Sequence, residues 1–286
     1  MALLTALAVV WAAPEAALAG PYDHGLLWKV SSPGGVPSHL FGTIHSDAPE
    51  VLELPAAVER AFKGADSFTM EMVPSGEAMF EVMREMANLD GPPLERVVGP
   101  ALYEQVVAAA RARDIPAQAL SLMKPWAVVV MLSRPQGQGA DVLDLVLYRR
   151  AQQAGKPVHG LETAGEQIAV FNDLPLERQI DLLRATVEEH DTIPAMLEQT
   201  QDAYLERDLA QMLVMHREEL DDMDPRLARL FNRRLLDERN ARMVERMLPR
   251  LREGNAFIAV GALHLPGQAG VLRRLEQRGF RLEAVY

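Results

Sequence analysis

The chain has 286 residues, of which 49% are hydrophobic and 24% charged, and its formal net charge at pH 7 is −11. This length and apolar content suffice for a large buried core in one or two domains. The negative charge argues against a protein that coats DNA or RNA, because phosphate binding requires a basic surface. The sequence contains no cysteine, which excludes disulfides, thiolate metal sites and cysteine nucleophiles.

The first residues have the pattern of an export signal. Residues 2–13 form an apolar stretch that is too short to span a bilayer, and the small residues Ala17 and Ala19 form a cleavage site before Gly20. The basic segment that normally opens such a signal is missing, because the first basic residue is Lys29. We predict a signal peptide over residues 1–19 and a periplasmic or secreted protein. The alternative is an apolar helix packed on the domain.

Short apolar runs bounded by turn residues predict the strands of one sheet, and the first two form a hairpin around a Ser-Pro-Gly-Gly turn. The predicted strands are 26–30, 39–44, 66–72, 156–161, 257–260 and 281–285. Short helices are predicted for 55–63 and 270–278, the first with a proline in its opening turn.

The middle of the chain is predicted to be helical. We expect two helical insertions, at about 75–155 and 175–250, separated by the strand at 156–161. Because strands lie at both ends and helices fill the middle, we predict one α+β domain over residues 20–286, with an α/β-type central sheet. Neither a long linker nor a tandem repeat divides it, and no later segment is apolar for long enough to span a membrane.

Two copies of Gly-x-x-His, at 42–45 and 261–264, each follow a predicted strand, and Glu71 and Glu162 follow two others. If these strands run parallel, His45, His264 and the glutamates meet at one edge of the sheet, where ligands bind in α/β proteins. Two imidazoles and one or two carboxylates form a metal-binding set. The motif glycines are expected to let the backbone turn and to let a ligand approach. Alternatively, the histidines are surface residues or hydrogen-bond anchors and the glutamates cap helices.

A charged residue interrupts the apolar face of the helix predicted over 226–251. The face at four-residue spacing consists of Leu235, Met243, Met247 and Leu251. Arg239 takes the missing place in this series, and Asn240 lies beside it. A buried guanidinium requires an acceptor, which Glu71 or Glu162 can supply, because an unpaired buried charge is very costly. The alternative is that Arg239 reaches solvent along its aliphatic stem.

Taken in order, these motifs resemble the TraB/GumN family, which is related to the Tiki proteins, a group of metal-dependent proteases. The segments that carry the resemblance are Phe41–His45, Met70–Glu71, Gly160–Thr163, Glu238–Met243 and Val260–Leu272. The likeness spans residues 25–286 and implies a fold like that of erythromycin esterase and the ChaN haem-binding proteins. By position, His45 and His264 correspond to the Gly-x-x-His histidines of Tiki proteins, and Glu71 corresponds to their strand-end glutamate.

Site and resemblance together predict a metal-dependent hydrolase, a peptidase of Tiki/TraB/GumN type that acts on a peptide or protein. His45, Glu71 and His264 are expected to hold a divalent ion of Mn, Co or Zn. Glu162 is expected to act as an orienting residue or general base, and Arg239 with Asn240 to organise the carboxylates or bind substrate.

Two alternatives to this hydrolase stay open. One is a non-catalytic protein of the same fold that binds haem, a peptide or a glycan in the cleft. The other is an esterase that uses His45 as a general base without a metal.

Overall fold

A mixed six-stranded sheet forms the centre of the computed structural model, which describes residues 20–134, 142–221 and 223–286. The strands are β1 (Leu27–Ser31), β2 (Ser38–Thr43), β3 (Ser67–Met70), β4 (Val158–Gly160), β5 (Ala256–Gly261) and β6 (Arg281–Ala284). Sheet and helices together confirm the predicted α+β class. The signal peptide predicted over residues 1–19 lies outside the described residues.

The strands lie in the order β4-β3-β5-β2-β1-β6. β1 is antiparallel to both β2 and β6, which confirms the predicted hairpin. β4, β3, β5 and β2 are parallel neighbours. The strands from the two ends of the chain are therefore interleaved, and the parallel arrangement assumed for the four motif-bearing strands is present.

Helices connect the strands and account for most of the rest of the described chain. In the first part they are α1 (Pro49–Leu52), α2 (Ala56–Gly64), α3 (Gly76–Met86), α4 (Leu94–Val98), α5 (Pro100–Arg111), α6 (Ala117–Ser121), α7 (Pro125–Leu132) and α8 (Leu143–Gln153). After β4 they are α9 (Ala164–Asn172), α10 (Leu176–Glu188), α11 (Ile193–Leu205), α12 (Leu209–Asp221), α13 (Pro225–Asn232), α14 (Glu238–Glu253) and α15 (Val271–Gln277).

Helix α9 was not predicted, although the sequence carries a signal for it. The Thr163 side chain accepts a hydrogen bond from the backbone N–H of Glu166, and the Glu166 carboxylate accepts one from the backbone N–H of Thr163. This reciprocal capping box satisfies two backbone donors that a helix start leaves unpaired. It begins α9 directly after Glu162, so the chain turns sharply at the edge of the sheet.

Aromatic side chains fill the core beside the central strands. Phe257 of β5 packs against Phe41, Phe62 and Phe68, with ring centroids between 5.3 and 6.4 Å apart. Helix α8 packs against β3 and β4, and α14 packs against β5 and α15. A second apolar cluster lies among the helices, and its fully buried members include Leu94, Val106, Leu120, Leu132 and Leu183.

The helix predicted over 226–251 contains a π-helical turn, Arg233–Asp237, between α13 and α14. The extra residue in this turn changes which side chains face the core, so that Leu236 is buried while Leu235 is half-buried. After the turn, Arg239 lies on the buried face, as predicted. π-Helical turns occur frequently at functional sites.

Among the residues that the structure describes, we find no helix that is both long and apolar enough to cross a membrane.

Candidate functional site

The four parallel strands bring the predicted site residues to one edge of the sheet. Glu162 follows β4, Glu71 follows β3, His264 ends a 3-10 turn (Ala262–His264) after β5, and His45 follows β2. Because the strand order is β4-β3-β5-β2, these side chains occur in that spatial order. Residues up to 219 positions apart in the sequence are thus placed along the carboxyl edge, where α/β sheets bind ligands.

Glu71 is held as a carboxylate by three donors. The backbone N–H of Gly261 donates to Oε1 at 2.7 Å, and Arg239 Nη2 and Gln167 Nε2 donate to Oε2 at 2.7 and 3.2 Å. Burial alone would raise the pKa of Glu71, but His264, Arg239 and the Gly261 N–H together lower it to about 2. Glu71 therefore carries a negative charge at neutral pH.

Arg239 joins the two glutamates. Its Nε lies 2.9 Å and its Nη2 2.7 Å from Oε2 of Glu162, whose side chain has no exposed surface. The same Nη2 reaches Glu71, so one guanidinium contacts both carboxylates. This confirms the prediction that carboxylates, rather than solvent, pair with the buried guanidinium of Arg239. Such fully paired charges are needed to offset the cost of burying them.

Asn240 fixes the orientation and the tautomer of His264. The Asn240 Nδ2 donates to the carbonyl oxygen of Ala269 at 3.0 Å, so the amide oxygen must face His264 Nδ1, 2.6 Å away. Burial lowers the pKa of His264 to about 4, against the opposing effect of Glu71. The ring is therefore neutral at pH 7, with its single N–H on Nδ1 and a lone pair on Nε2.

The lone pair of His264 faces a carboxylate. Its Nε2 lies 3.6 Å from Oε1 of Glu71, which is too far for a hydrogen bond. Because the ring is neutral, Arg239 and the Gly261 N–H are the groups that keep Glu71 ionised at pH 7. Two electron-rich atoms thus face each other without a proton between them, which is the arrangement of two ligands of one cation.

His45 lies at the other end of the site, and 77% of its side chain is exposed. Its Nε2 is 3.6 Å from Oδ2 of Asp144, a residue of α8 that the sequence analysis did not single out. The Thr43 hydroxyl donates to Oδ1 of Asp144 at 2.7 Å. Burial raises the pKa of Asp144. The nearby Glu71 raises it further, while His45 and the hydrogen bond from Thr43 lower it.

The predicted metal ligands lie in two neighbouring groups. Glu71, Glu162, Arg239, Asn240 and His264 form one hydrogen-bonded network, and His45 is paired with Asp144 instead. His45 is near enough to Glu71 to contribute, as the smallest of the effects, to the lowering of the Glu71 pKa. Within the described ranges, no group of three or more histidine, aspartate or glutamate side chains is close enough to hold a metal ion as it stands.

The donor atoms themselves fit a divalent cation. Two ligands of a tetrahedral zinc ion, each about 2.1 Å from the metal, lie about 3.4 Å apart. Both nitrogen–oxygen pairs, His264 with Glu71 and His45 with Asp144, are 3.6 Å apart. The Nδ1–H of His264 is bound to an amide oxygen, the support that metal-binding histidines usually receive. The residue types and local pairs therefore suit a metal site.

The motif glycines serve close packing and not a turn. Neither Gly42 nor Gly261 has a positive φ, so the predicted freedom to turn is not used. A Cβ atom on Gly42 would lie 2.8 Å from the Leu265 side chain and 3.1 Å from Ala262 Cα. A Cβ on Gly261 would lie 3.3 Å from Oε1 of Glu71. Both glycines therefore allow other parts of the protein to approach closely, and the first motif packs directly against the second. The predicted approach of a ligand stays a prediction.

Sequence reasoning missed two members of the site, Asp144 and Gln167. Asp144 lies inside the apolar run Val142–Leu147, and a lone carboxylate in such a run is the same signal that identified Arg239. Gln167 donates to both Glu71 and Glu162 from the first turns of α9, the helix that was not predicted.

Three relatives match most of the chain. Over 297 residues it is 26% identical to the YbaP proteins of Shigella flexneri and Escherichia coli strain K12, covering 96% of this chain and 100% of each relative. Over 314 residues it is 26% identical to metalloprotease TIKI2 of Danio rerio, covering 91% of this chain and 61% of TIKI2. No solved structure gives a significant match.

The sequence profile of one family matches residues 26–284, which includes both Gly-x-x-His motifs and all the site residues described above. The chain belongs to the TraB/PrgY/gumN family.

Proposed function

We propose that this protein is a metal-dependent hydrolase that cleaves peptide bonds, with His45, Glu71 and His264 as ligands of a divalent ion of Mn, Co or Zn. The observation that carries the proposal is the facing pair of Nε2 of His264 and Oε1 of Glu71. A neutral imidazole and an ionised carboxylate repel each other in this orientation unless a cation lies between them. The relative TIKI2, named a metalloprotease, supports the same reaction class.

The chemistry of such a site divides between the metal and the protein. A bound divalent ion supplies a Lewis acid for the scissile carbonyl and lowers the pKa of a water nucleophile. Asn240 holds the ring of His264 with its lone pair outward, and Gly261 holds the Glu71 carboxylate. His45 is the most exposed of the predicted ligands, so the substrate approaches the site from its side.

Glu162 and Arg239 act as positioning residues in this proposal. Glu162 has no exposed side-chain surface and is bonded to Arg239 through both oxygens, which favours an orienting role over that of a general base. Arg239, with 10% of its side chain exposed, fixes Oε2 of Glu71 and leaves Oε1 directed toward His264.

The proposal is tested by peptide hydrolysis with the purified mature protein. The protein is stripped with EDTA, supplied in turn with Mn²⁺, Co²⁺ or Zn²⁺, and incubated with a broad peptide library. We expect cleavage that needs added metal and is lost in His264→Ala, while the matched control His190→Ala, at a turn outside the site, retains it. Background cleavage with every ion would overturn the proposal.

A second candidate is an esterase that uses His45 as general base without a metal. The pairing of His45 with the buried carboxylate of Asp144 favours it, because a carboxylate beside an imidazole can orient the ring for proton transfer. Ester hydrolysis that is insensitive to EDTA and depends on His45 but not on His264 would support this function. Equal dependence on both histidines would exclude it.

We also propose that the protein is exported, to the periplasm or beyond the cell. The apolar stretch and the small-residue cleavage site at residues 17–19 support this location. Cell fractionation with N-terminal sequencing tests it: the expected mature chain begins at Gly20, and a cytoplasmic protein that retains residues 1–19 would contradict it.

A further inference from the structure

One buried oxygen at the site has no hydrogen-bond partner within the described part of the chain. It is Oδ2 of Asp144, which exposes less than 1 Å² of surface. Asp144 as a whole is only 9% exposed. An unpaired buried carboxylate oxygen is costly, because the charge has lost its hydration without gaining a donor. The predicted ligand set and its mechanism do not use this atom.

The surroundings of Asp144 fix its carboxylate in one orientation. Thr43, the last residue of β2, donates its hydroxyl hydrogen to Oδ1 at 2.7 Å. The backbone N–H of Leu143 donates to the carbonyl oxygen of Ser46, which ties the start of α8 to the segment after the first motif. Because Oδ1 is held in this way, Oδ2 is directed toward His45.

We propose that Asp144 is a fourth protein ligand of the metal ion, binding it through Oδ2 beside Nε2 of His45. This inference rests on the proposed function. The two atoms are 3.6 Å apart, longer than a hydrogen bond but close to the separation of about 3.4 Å between neighbouring ligands of one tetrahedral ion. A cation between them gives Oδ2 the partner that it lacks and draws His45 toward the buried half of the site.

The charges of the site agree with this assignment. Glu71 is paired with Arg239, and Glu162 is paired with Arg239 and, at 3.6 Å, with Arg242, so two guanidinium groups offset the two negative charges. Among the described residues, the exposed His45 is the basic side chain that lies within 4 Å of the Asp144 carboxylate. Oδ2 of Asp144 is buried and has no hydrogen-bond donor among the described residues. A divalent cation between Asp144 and His45 would supply the partner that this oxygen needs.

The test compares metal binding by the full mature chain and its Asp144→Asn variant. Calorimetry with Co²⁺ and the visible absorption spectrum of bound Co²⁺ report affinity and ligand set without any assay of activity. Asn keeps the shape and can still accept the Thr43 hydrogen bond. We expect the Kd for Co²⁺ to rise about 10- to 100-fold or more, since even the loss of a group that supports a ligand has this effect. The spectrum of any bound Co²⁺ is expected to change.

Matched variants make the outcome decisive. Asp181→Asn, at an exposed ion pair with Arg178, is the control and is expected to bind Co²⁺ like the wild type. Thr43→Val frees the Asp144 carboxylate without removing it and is expected to cause a smaller loss of affinity. It also keeps the proposal testable if the Asn variant does not fold.

The possible results separate this inference from the proposed function. Wild-type affinity and spectrum in Asp144→Asn, with affinity lost in His264→Ala, would overturn the assignment of Asp144 and leave the proposed function intact. A loss of peptide hydrolysis in Asp144→Asn without any loss of Co²⁺ affinity would also overturn it and make Asp144 a positioning residue for His45. A wild-type chain that binds no Co²⁺, Mn²⁺ or Zn²⁺ would overturn both proposals.

Discussion

His264 and Glu71 face each other at 3.6 Å through Nε2 and Oε1, and each is held in place by groups on its other side. The amide oxygen of Asn240 accepts the Nδ1–H of the imidazole, while the Gly261 N–H and Arg239 Nη2 donate to the carboxylate of Glu71. The positions of Nε2 of His264 and Oε1 of Glu71 are therefore set by these surrounding contacts and not by the mutual attraction of the two atoms.

Removing the support behind His264 is expected to weaken metal binding. In Asn240→Ala the Nδ1–H loses its acceptor, the ring is free to rotate, and the affinity for Co²⁺ should fall about 10- to 100-fold. Calorimetry of the metal-stripped protein measures this. Asn232→Ala is the matched control, because Asn232 also contacts a histidine, His216, at 3.0 Å. Equal losses in the two variants would point to a general effect on stability.

Breaking the charge network is expected to destabilise the fold. Arg239→Met removes the guanidinium that pairs with Glu71 and the closer of the two that pair with the buried Glu162, which should cost about 3 to 5 kcal/mol of the free energy of unfolding. Urea denaturation measures it. Arg242→Met, which removes a more exposed cation 3.6 Å from Glu162, should cost at most about 1 kcal/mol. A loss in Arg239→Met no larger than in Arg242→Met would show that the network is not essential to stability.

The first motif glycine is expected to tolerate no side chain. Gly42→Ala forces a Cβ against Leu265 and Ala262, and it should cost about 1 to 3 kcal/mol in the free energy of unfolding. The same displacement moves the turn that carries His264, so metal affinity should also fall. Gly64→Ala serves as control, since a Cβ there meets nothing within 4 Å. A Gly42→Ala protein as stable as the control would contradict the packing of the two motifs.

A pH-dependent contribution is expected from the ion pair between Glu166 and Arg246, whose closest contacts are 2.6 and 2.7 Å. The hydrogen bond to Arg246 is the main reason that the pKa of Glu166 is lowered from 4.5 to about 2. Because this pKa is lower in the folded protein, the unfolded chain takes up the proton at a higher pH when the solution is acidified. The stabilisation by the ion pair is therefore complete above about pH 4.5 and is lost as the pH falls toward 2.

The variant Glu166→Gln isolates this charge, because Gln still completes the capping box of α9. At pH 7 it should be less stable than the wild type by about 0.5 to 1 kcal/mol, a small value because both side chains are partly exposed. The difference should shrink between pH 4.5 and pH 2.5 in urea denaturation. A difference that stays constant over this range would show that the charge of Glu166 is not its source.

The positions of the site residues at strand ends could be predicted from the sequence because strands and their ends leave local signals. The alternation of apolar runs with Gly-x-x-His and Met-Glu placed His45, Glu71 and His264 after strands, and the parallel sheet brings those ends together. Arg239 was visible as the one charge in an apolar helical face. These inferences need only local pattern and the general geometry of parallel sheets.

The pairing of His45 could not be predicted in the same way. Asp144 reaches it from α8, and this contact depends on how a helix packs across the sheet, which no local pattern encodes. The π-helical turn before α14 also has no simple sequence signal, yet it sets which leucine is buried above Arg239.

The most direct measurement is calorimetric titration of the metal-stripped mature protein with Mn²⁺, Co²⁺ and Zn²⁺, comparing the wild type with His45→Ala and His264→Ala. A single ion shared by these histidines predicts one equivalent bound to the wild type and a large loss of affinity in each variant, while His190→Ala binds normally. Undiminished binding of one equivalent in either His45→Ala or His264→Ala would contradict the shared site.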